Sequence, residues 1–107
     1  MATISSDIIR GYNDLIVLKL LLDGPSYGYE LAQRIKTITE EKYVIQETTL
    51  YSALTRLLKK SYVTSFSKEG DTGKRRTYYE ITKEGISYYE EKCEEWVLTQ
   101  DVIRRFV

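Results

Sequence analysis

The 107-residue sequence contains no histidine and only one cysteine, one proline and one tryptophan. Without histidine, the chain cannot form a Ser-His-Asp or Cys-His catalytic site or a His-ligated zinc site. The lone Cys93 excludes an internal disulfide and a four-cysteine metal site. Glu80 and Glu84 are the remaining candidates for acid–base chemistry, but no glycine-rich phosphate loop or cluster of metal ligands lies near them. We therefore expect no enzyme activity, no metal and no cofactor.

Long apolar segments are also missing. Residues 15–22 form the longest one, which Lys19 interrupts, and it is far shorter than the roughly 18 residues that cross a bilayer. The first residues lack the basic and apolar regions of a secretory signal. We expect one globular domain located in the cytoplasm, away from membranes, with Cys93 as a packing residue.

The charges are unevenly distributed, although the formal net charge is zero. Residues 34–83 carry 11 basic and 6 acidic side chains, whereas residues 1–33 and 84–107 have net charges of −2 and −3. A basic segment between acidic ends predicts one surface that faces a polyanion, as in a nucleic-acid-binding protein.

Apolar periodicity predicts two helices in the first part of the chain. Ser5 or Ser6 precedes the first, over residues 8–22, and Gly24-Pro25 ends it. Because residues 15–22 are apolar on nearly every side, either the rest of the domain or a second subunit must cover them, and in so small a domain we expect the second subunit. Ser26 is the expected N-cap of the second helix, in which Leu31, Ile35 and Ile38 recur at helical spacing.

A third helix and a hairpin follow. Thr48 or Thr49 is the expected cap of the third helix, whose leucine face lies opposite a polar and basic face. Residues 62–66 and 77–81 predict two strands joined by a long charged tip over residues 67–74. Residues 43–45 predict only a strand stub.

The last predicted helix begins after Thr82 and repeats its apolar residues in alternating steps of three and four. This spacing is typical of a helix that packs along another helix. The repeat consists of Ile86, Tyr89, Cys93, Trp96, Ile103 and Val107, with Gln100 as its one strongly polar member. With about 24 residues, the helix would form an arm of roughly 36 Å that holds two subunits together.

This element order predicts a mainly α fold with a small β-hairpin: a winged helix-turn-helix over residues 1–82 and a C-terminal dimerisation helix over residues 83–107. The third helix would enter the major groove of DNA, and the hairpin would flank the duplex. The expected contacts are Thr48, Thr49, Ser52, Arg56 and Lys59 on the helix and Lys74, Arg75 and Arg76 on the hairpin. A winged helix that binds proteins and not DNA remains the alternative.

Three segments resemble the signature segments of the PadR family of bacterial transcriptional regulators. They are SYGYEL at residues 26–31, TLYSALTRL at 49–57 and GKRRTYYEITKEG at 73–85. The resemblance extends over residues 14–103. Family members commonly have proline at the position of Ser52 and glycine at that of Ser61, so Ser61 must end the third helix without glycine's left-handed freedom.

The resemblance implies a homodimeric repressor on a pseudo-palindromic operator, with two recognition helices about one duplex turn, roughly 34 Å, apart. It implies DNA contacts at Tyr27, Thr49, Tyr51, Lys74 and Arg76. The terminal helices would join the subunits, and the expected interface residues are Ile8, Leu15, Ile86, Tyr89, Cys93, Trp96 and Ile103.

The short C-terminal helix resembles that of a compact subclass whose drug-sensing members bind flat compounds between the subunits. Trp96 lies at a position comparable to the tryptophan that lines their cavity, and Tyr12 and Tyr89 are further candidates. Trp96 either packs in the interface alone or also contacts a small aromatic effector.

Overall fold

The computed structural model describes residues 3–107, so the first two residues of the predicted domain 1–82 lie outside it. The elements are α1 (Ser6–Ile9), a 3₁₀ turn (Arg10–Tyr12), α2 (Asn13–Leu21), β1 (Ser26–Tyr27), α3 (Gly28–Ile38), α4 (Glu47–Lys59), β2 (Val63–Glu69), β3 (Arg75–Ile81) and α5 (Lys83–Arg104). This order confirms the predicted winged helix-turn-helix with a long C-terminal helix. The predicted first helix is interrupted by the 3₁₀ turn around Gly11.

The core lies between α2, α3 and α4. Val17, Leu18 and Leu21 of α2 are buried, as are Leu54 and Leu57 of α4, and α2 packs against both α4 and α5. The expectation that a second subunit covers α2 is therefore wrong for these residues, because the chain's own helices bury them. Ile38 lies in α3 as predicted and is exposed at the end of that helix.

The helix starts follow the expected chemistry at only some positions. Ser5 caps α1, and the Thr82 hydroxyl caps α5 by accepting a hydrogen bond from the Gly85 amide at 3.0 Å. Ser26 is not an N-cap, because it lies in β1 and its hydroxyl donates to Glu30 Oε1 at 2.5 Å. Helix α4 begins after Gln46, ahead of both threonines expected to cap it, with no side-chain cap.

In the described part of the chain, the strands form one antiparallel sheet in the order β1-β3-β2. The sheet is larger than the predicted hairpin, because β2 and β3 pair from Val63–Ile81 out to Glu69–Arg75 and leave only residues 70–74 as the tip. The third strand is Ser26–Tyr27, which pairs with Tyr79 and Tyr78. Residues 43–45 lie outside the sheet.

Helix α5 is attached closely to the sheet at its start and becomes exposed toward its end. A Cβ on Gly85 would overlap the Tyr62 carbonyl oxygen, so only glycine allows this approach. Farther along, the apolar residues Trp96, Val97, Leu98, Val102 and Ile103 are exposed. Among residues 3–107, no helix is both long and apolar enough to span a membrane.

Ser61 ends α4 in the left-handed conformation, with φ of 62°. The Ser61 amide donates to Leu58 O at 3.0 Å, and the Tyr62 amide donates to Leu57 O at 2.9 Å. These two bonds form a Schellman motif, in which glycine is the favoured residue at the position of Ser61. The chain therefore carries here the strain that a side chain creates in this conformation.

We predict that Ser61→Gly raises the free energy of unfolding by about 0.5–1 kcal/mol, because it relieves left-handed strain and glycine's larger unfolded-state entropy offsets only part of the gain. Urea denaturation measures the change. Ser61→Ala, which keeps the Cβ, is the matched control and should bring no gain. A glycine variant no more stable than the alanine variant would contradict this account of the turn.

Candidate nucleic-acid interface

The outward face of α4 is polar because the opposite face is packed into the core. Leu50, Ala53, Leu54 and Leu57 are buried, which turns the intervening residues toward the surface. Thr49 is half-buried, whereas the exposed residues of this face are Thr48, Tyr51, Ser52, Thr55, Arg56 and Lys59. Hydroxyl and ammonium groups of this kind can bind phosphates or base edges. Ser52 continues a regular helix here.

Arg56, expected to neutralise phosphate, is held by a carboxylate of α2. Its Nη2 donates to Asp14 Oδ1 at 2.8 Å, and its Nε donates to Asp14 Oδ2 at 3.3 Å. The hydrogen bond to Asp14 raises the pKa of Arg56 above its ordinary value. The side chain therefore links α4 to α2, and its charge is partly compensated before any polyanion approaches.

Tyr51 connects α4 to the start of α3. Its hydroxyl lies so close to the Gly28 Cα that a Cβ on Gly28 would overlap it. Gly28 was not singled out from the sequence, although it lies inside the Tyr-Gly-Tyr segment, because the need for a glycine arises from a contact with a residue 23 positions away. The contact fixes the tyrosine ring at the junction of the two helices.

The three bases of the wing, the β2–β3 hairpin, differ in their surroundings. Lys74 and Arg75 are exposed, and Arg75 Nε donates to Ser67 Oγ at 3.3 Å. Arg76 is half-buried, with its guanidinium carbon 4.4 Å from the centre of the Tyr27 ring. The structure therefore places the predicted Tyr27 beside the wing.

The sequence prediction omitted Lys68, which lies across the hairpin from Arg76. The sequence pattern places Lys68 in the loop at the tip. The strand register instead places it on the surface of the wing. With Lys68, the wing carries four basic residues. The hairpin also carries three acidic residues, which are Glu69, Asp71 and Glu80.

These contacts join the wing to the polar face of α4. Tyr51 of α4 touches Gly28, the residue next to Tyr27, and the Tyr27 ring contacts the Arg76 guanidinium. The outward side of α4 and the wing are therefore held next to each other through buried Gly28 and together form one candidate surface. It combines hydroxyl groups with basic side chains, the combination that binds a nucleic-acid backbone.

A second feature is an apolar groove of about 790 Å³ between the N-terminal segment and α5. Tyr12 and Trp96 meet in it edge to face, with ring centres 5.3 Å apart and planes at 80°. Four predicted interface residues line the groove: Ile8, Leu15, Trp96 and Ile103. The structure thus brings together two of the three predicted ligand contacts, Tyr12 and Trp96.

Tyr89, the third predicted ligand contact, is not among the residues that line this groove. It packs against the core, and its interaction with the Cys93 thiol, together with burial, raises the pKa of its hydroxyl. Cys93 is half-buried, and Ile86 is exposed. Within residues 3–107, no group of three or more histidine, cysteine or carboxylate side chains is arranged to hold a metal ion.

Comparison with known proteins gives one consistent family. The model of the Transcriptional regulator PadR-like family matches residues 17–91. A transcriptional regulator from Clostridium thermocellum has a similar solved structure, with a TM-score of 0.90, 58% identity, and coverage of 98% of this chain and 99% of that one.

Two further relatives cover nearly the whole chain. A PadR family transcription regulator from Clostridium difficile is 34% identical with a TM-score of 0.76, covering 90% of this chain and 98% of that one. An uncharacterized protein from Lysinibacillus sphaericus is 38% identical over 104 residues, which are 97% of this chain and 95% of that protein.

Proposed function

The chain belongs to the PadR-like family of transcriptional regulators, which are not enzymes, and from that premise we propose that it is a homodimeric, sequence-specific DNA-binding repressor of the cytoplasm. The observation that carries the proposal is the chain of contacts from α4 to the wing, in which exposed Tyr51 packs on buried Gly28 and the neighbouring Tyr27 ring contacts Arg76.

On duplex DNA, α4 lies in the major groove with its exposed face toward the bases. Thr48, Thr49 and Ser52 donate or accept hydrogen bonds at phosphates or base edges near the start of the helix. Lys59, Lys74 and Arg75 neutralise phosphates, and Arg76 reaches the backbone or the minor groove from the wing. Arg56 contributes less, since Asp14 already binds its guanidinium.

The groove beside α5 supports a dimer. Its walls are mostly apolar, and Trp96 remains 42% exposed and Ile8 68% exposed in the single chain. A second copy, related by a two-fold axis, covers these residues with its own terminal helices. The same axis relates the two copies of α4, so the operator is pseudo-palindromic with half-sites about one turn, roughly 34 Å, apart.

The edge-to-face pair of Tyr12 and Trp96 supports an effector site in this groove. A small aromatic compound stacks on such rings and displaces part of the contact between subunits. Tyr12 directly precedes α2, which packs against α4, so a change in the groove reaches the DNA-binding surface through one helix. A coupling of about 1–3 kcal/mol lowers operator affinity roughly 5- to 150-fold.

We predict that Lys74→Ala combined with Arg76→Ala weakens binding to all duplex sequences. Each lost phosphate contact should reduce the magnitude of the slope of log K against log salt by about 0.9, or about 1.8 for the pair. Fluorescence anisotropy at several salt concentrations measures the slope, with DNA from upstream of the protein's own gene as the probe.

Lys19→Ala with Arg105→Ala is the control for this experiment, since it removes two charges that lie outside the proposed surface. An unchanged slope in the wing variant would show that the wing does not bind DNA. Absence of salt-sensitive binding to any duplex by the unmodified protein would favour the protein-interaction alternative.

We predict that Ile103→Glu raises the dimer dissociation constant at least about 100-fold, because the two-fold axis buries two carboxylates per dimer against mostly apolar walls. Sedimentation equilibrium measures the constant. Tyr29→Glu, which places the same charge on an exposed residue of α3, should leave it unchanged. An unchanged dissociation constant in the Ile103 variant would show that the groove does not lie in the dimer interface.

A further inference from the structure

One face of the sheet carries a cluster of aromatic and basic side chains that the proposed function does not by itself require. The strand register places Tyr78 directly between Tyr27 and Phe66, and Arg76 directly opposite Lys68. Because side chains alternate along a strand, residues 76 and 78 of β3 point to the same side, and their neighbours across the sheet point there too. The five side chains therefore share one face.

The contacts within this cluster are aromatic and cationic. Tyr27 meets Tyr78 edge to face at 5.3 Å, and Phe66 stacks on Tyr78 at 5.7 Å. The Arg76 guanidinium lies 4.4 Å from the Tyr27 ring centre, well within the range of a cation–π interaction, and Lys68 Nζ lies 5.5 Å from the Tyr78 ring. In the part of the chain covered by the structure, no ion pair involves Arg76.

We propose that Tyr27 is a positioning residue for Arg76, acting through the face of its ring and not through its hydroxyl group. An unrestrained arginine loses much rotamer freedom when it is fixed on DNA. The Tyr27 ring already restricts the Arg76 side chain in the free protein. Less conformational entropy is therefore lost when DNA binds. The proposal rests on the DNA-binding function proposed above.

The same contact sets the position of the wing relative to α4. The residue after Tyr27 is Gly28, against which Tyr51 packs, so the ring that holds Arg76 is tied to the outward face of α4. Arg76 thereby keeps a defined distance from the DNA major groove in which α4 is proposed to lie. Lys74 and Arg75 are exposed and lack an aromatic partner of this kind within residues 3–107, so they can adapt to phosphates of any sequence.

A double-mutant cycle in DNA binding tests this role. Tyr27→Leu should weaken binding of the protein's own upstream DNA roughly two- to five-fold, the range of an exposed cation–π contact. Tyr27→Phe, which keeps the ring and removes the hydroxyl, should restore most of this loss. With Arg76→Ala already present, Tyr27→Leu should cost nothing further. Tyr29→Leu, on the adjacent exposed tyrosine, is the matched control.

Two results of the cycle would overturn the proposal. If Tyr27→Phe binds as weakly as Tyr27→Leu, the hydroxyl contacts DNA directly. If Tyr27→Leu costs the same with and without Arg76, the ring supports the fold and does not act through the guanidinium.

A measurement on the free protein separates this proposal from the proposed function. In NMR spectra without DNA, the Arg76 side-chain protons should show ring-current shifts that persist in Tyr27→Phe and disappear in Tyr27→Leu. Absence of these shifts in the unmodified protein would overturn the positioning role even if DNA binds normally. Shifts without binding to any duplex would contradict the proposed function and leave the contact itself established.

Discussion

The packing of the leucine face of α4 against α2 determines the rest of the structure. Each buried leucine contributes about 1.5–3 kcal/mol relative to an exposed one, and Leu50, Leu54 and Leu57 are all buried. A partly exposed ion pair such as Asp14–Arg56 contributes at most about 1 kcal/mol. Apolar burial therefore fixes which side of α4 faces outward, and the ion pair adjusts a helix that is already oriented.

Helix α2 lies between the two surfaces proposed to bind DNA and a second subunit. Asp14 binds Arg56 of α4, and the next residue, Leu15, lines the groove that contains Trp96. Neighbouring residues of one helix thus face α4, the proposed DNA-binding helix, and the proposed subunit interface. A change in how the second copy or an effector occupies the groove would act on α2 and, through rigid packing, on α4.

Several features that depend on nearby residues could be predicted from the sequence, although the caps of α3 and α4 were not. The outward face of α4 follows from helical periodicity, and the Thr82 cap and the Ser61 turn follow from the chemistry of helix ends. Features that depend on distant residues could not. The strand at Ser26–Tyr27 exists because it pairs with residues 78–79, and Arg56 finds a partner 42 positions away. The prediction that a second subunit covers α2 was wrong for the same reason, because α4 and α5, which are distant in sequence, cover it.

The central claim is that two copies place two α4 helices into successive major grooves on one side of a duplex. Hydroxyl-radical footprinting of the intact protein on DNA from upstream of its own gene tests this claim most directly. The account predicts two protected segments whose centres lie about 10 base pairs apart. A single protected segment, or no protection at protein concentrations at which the chain is fully dimeric, would contradict it.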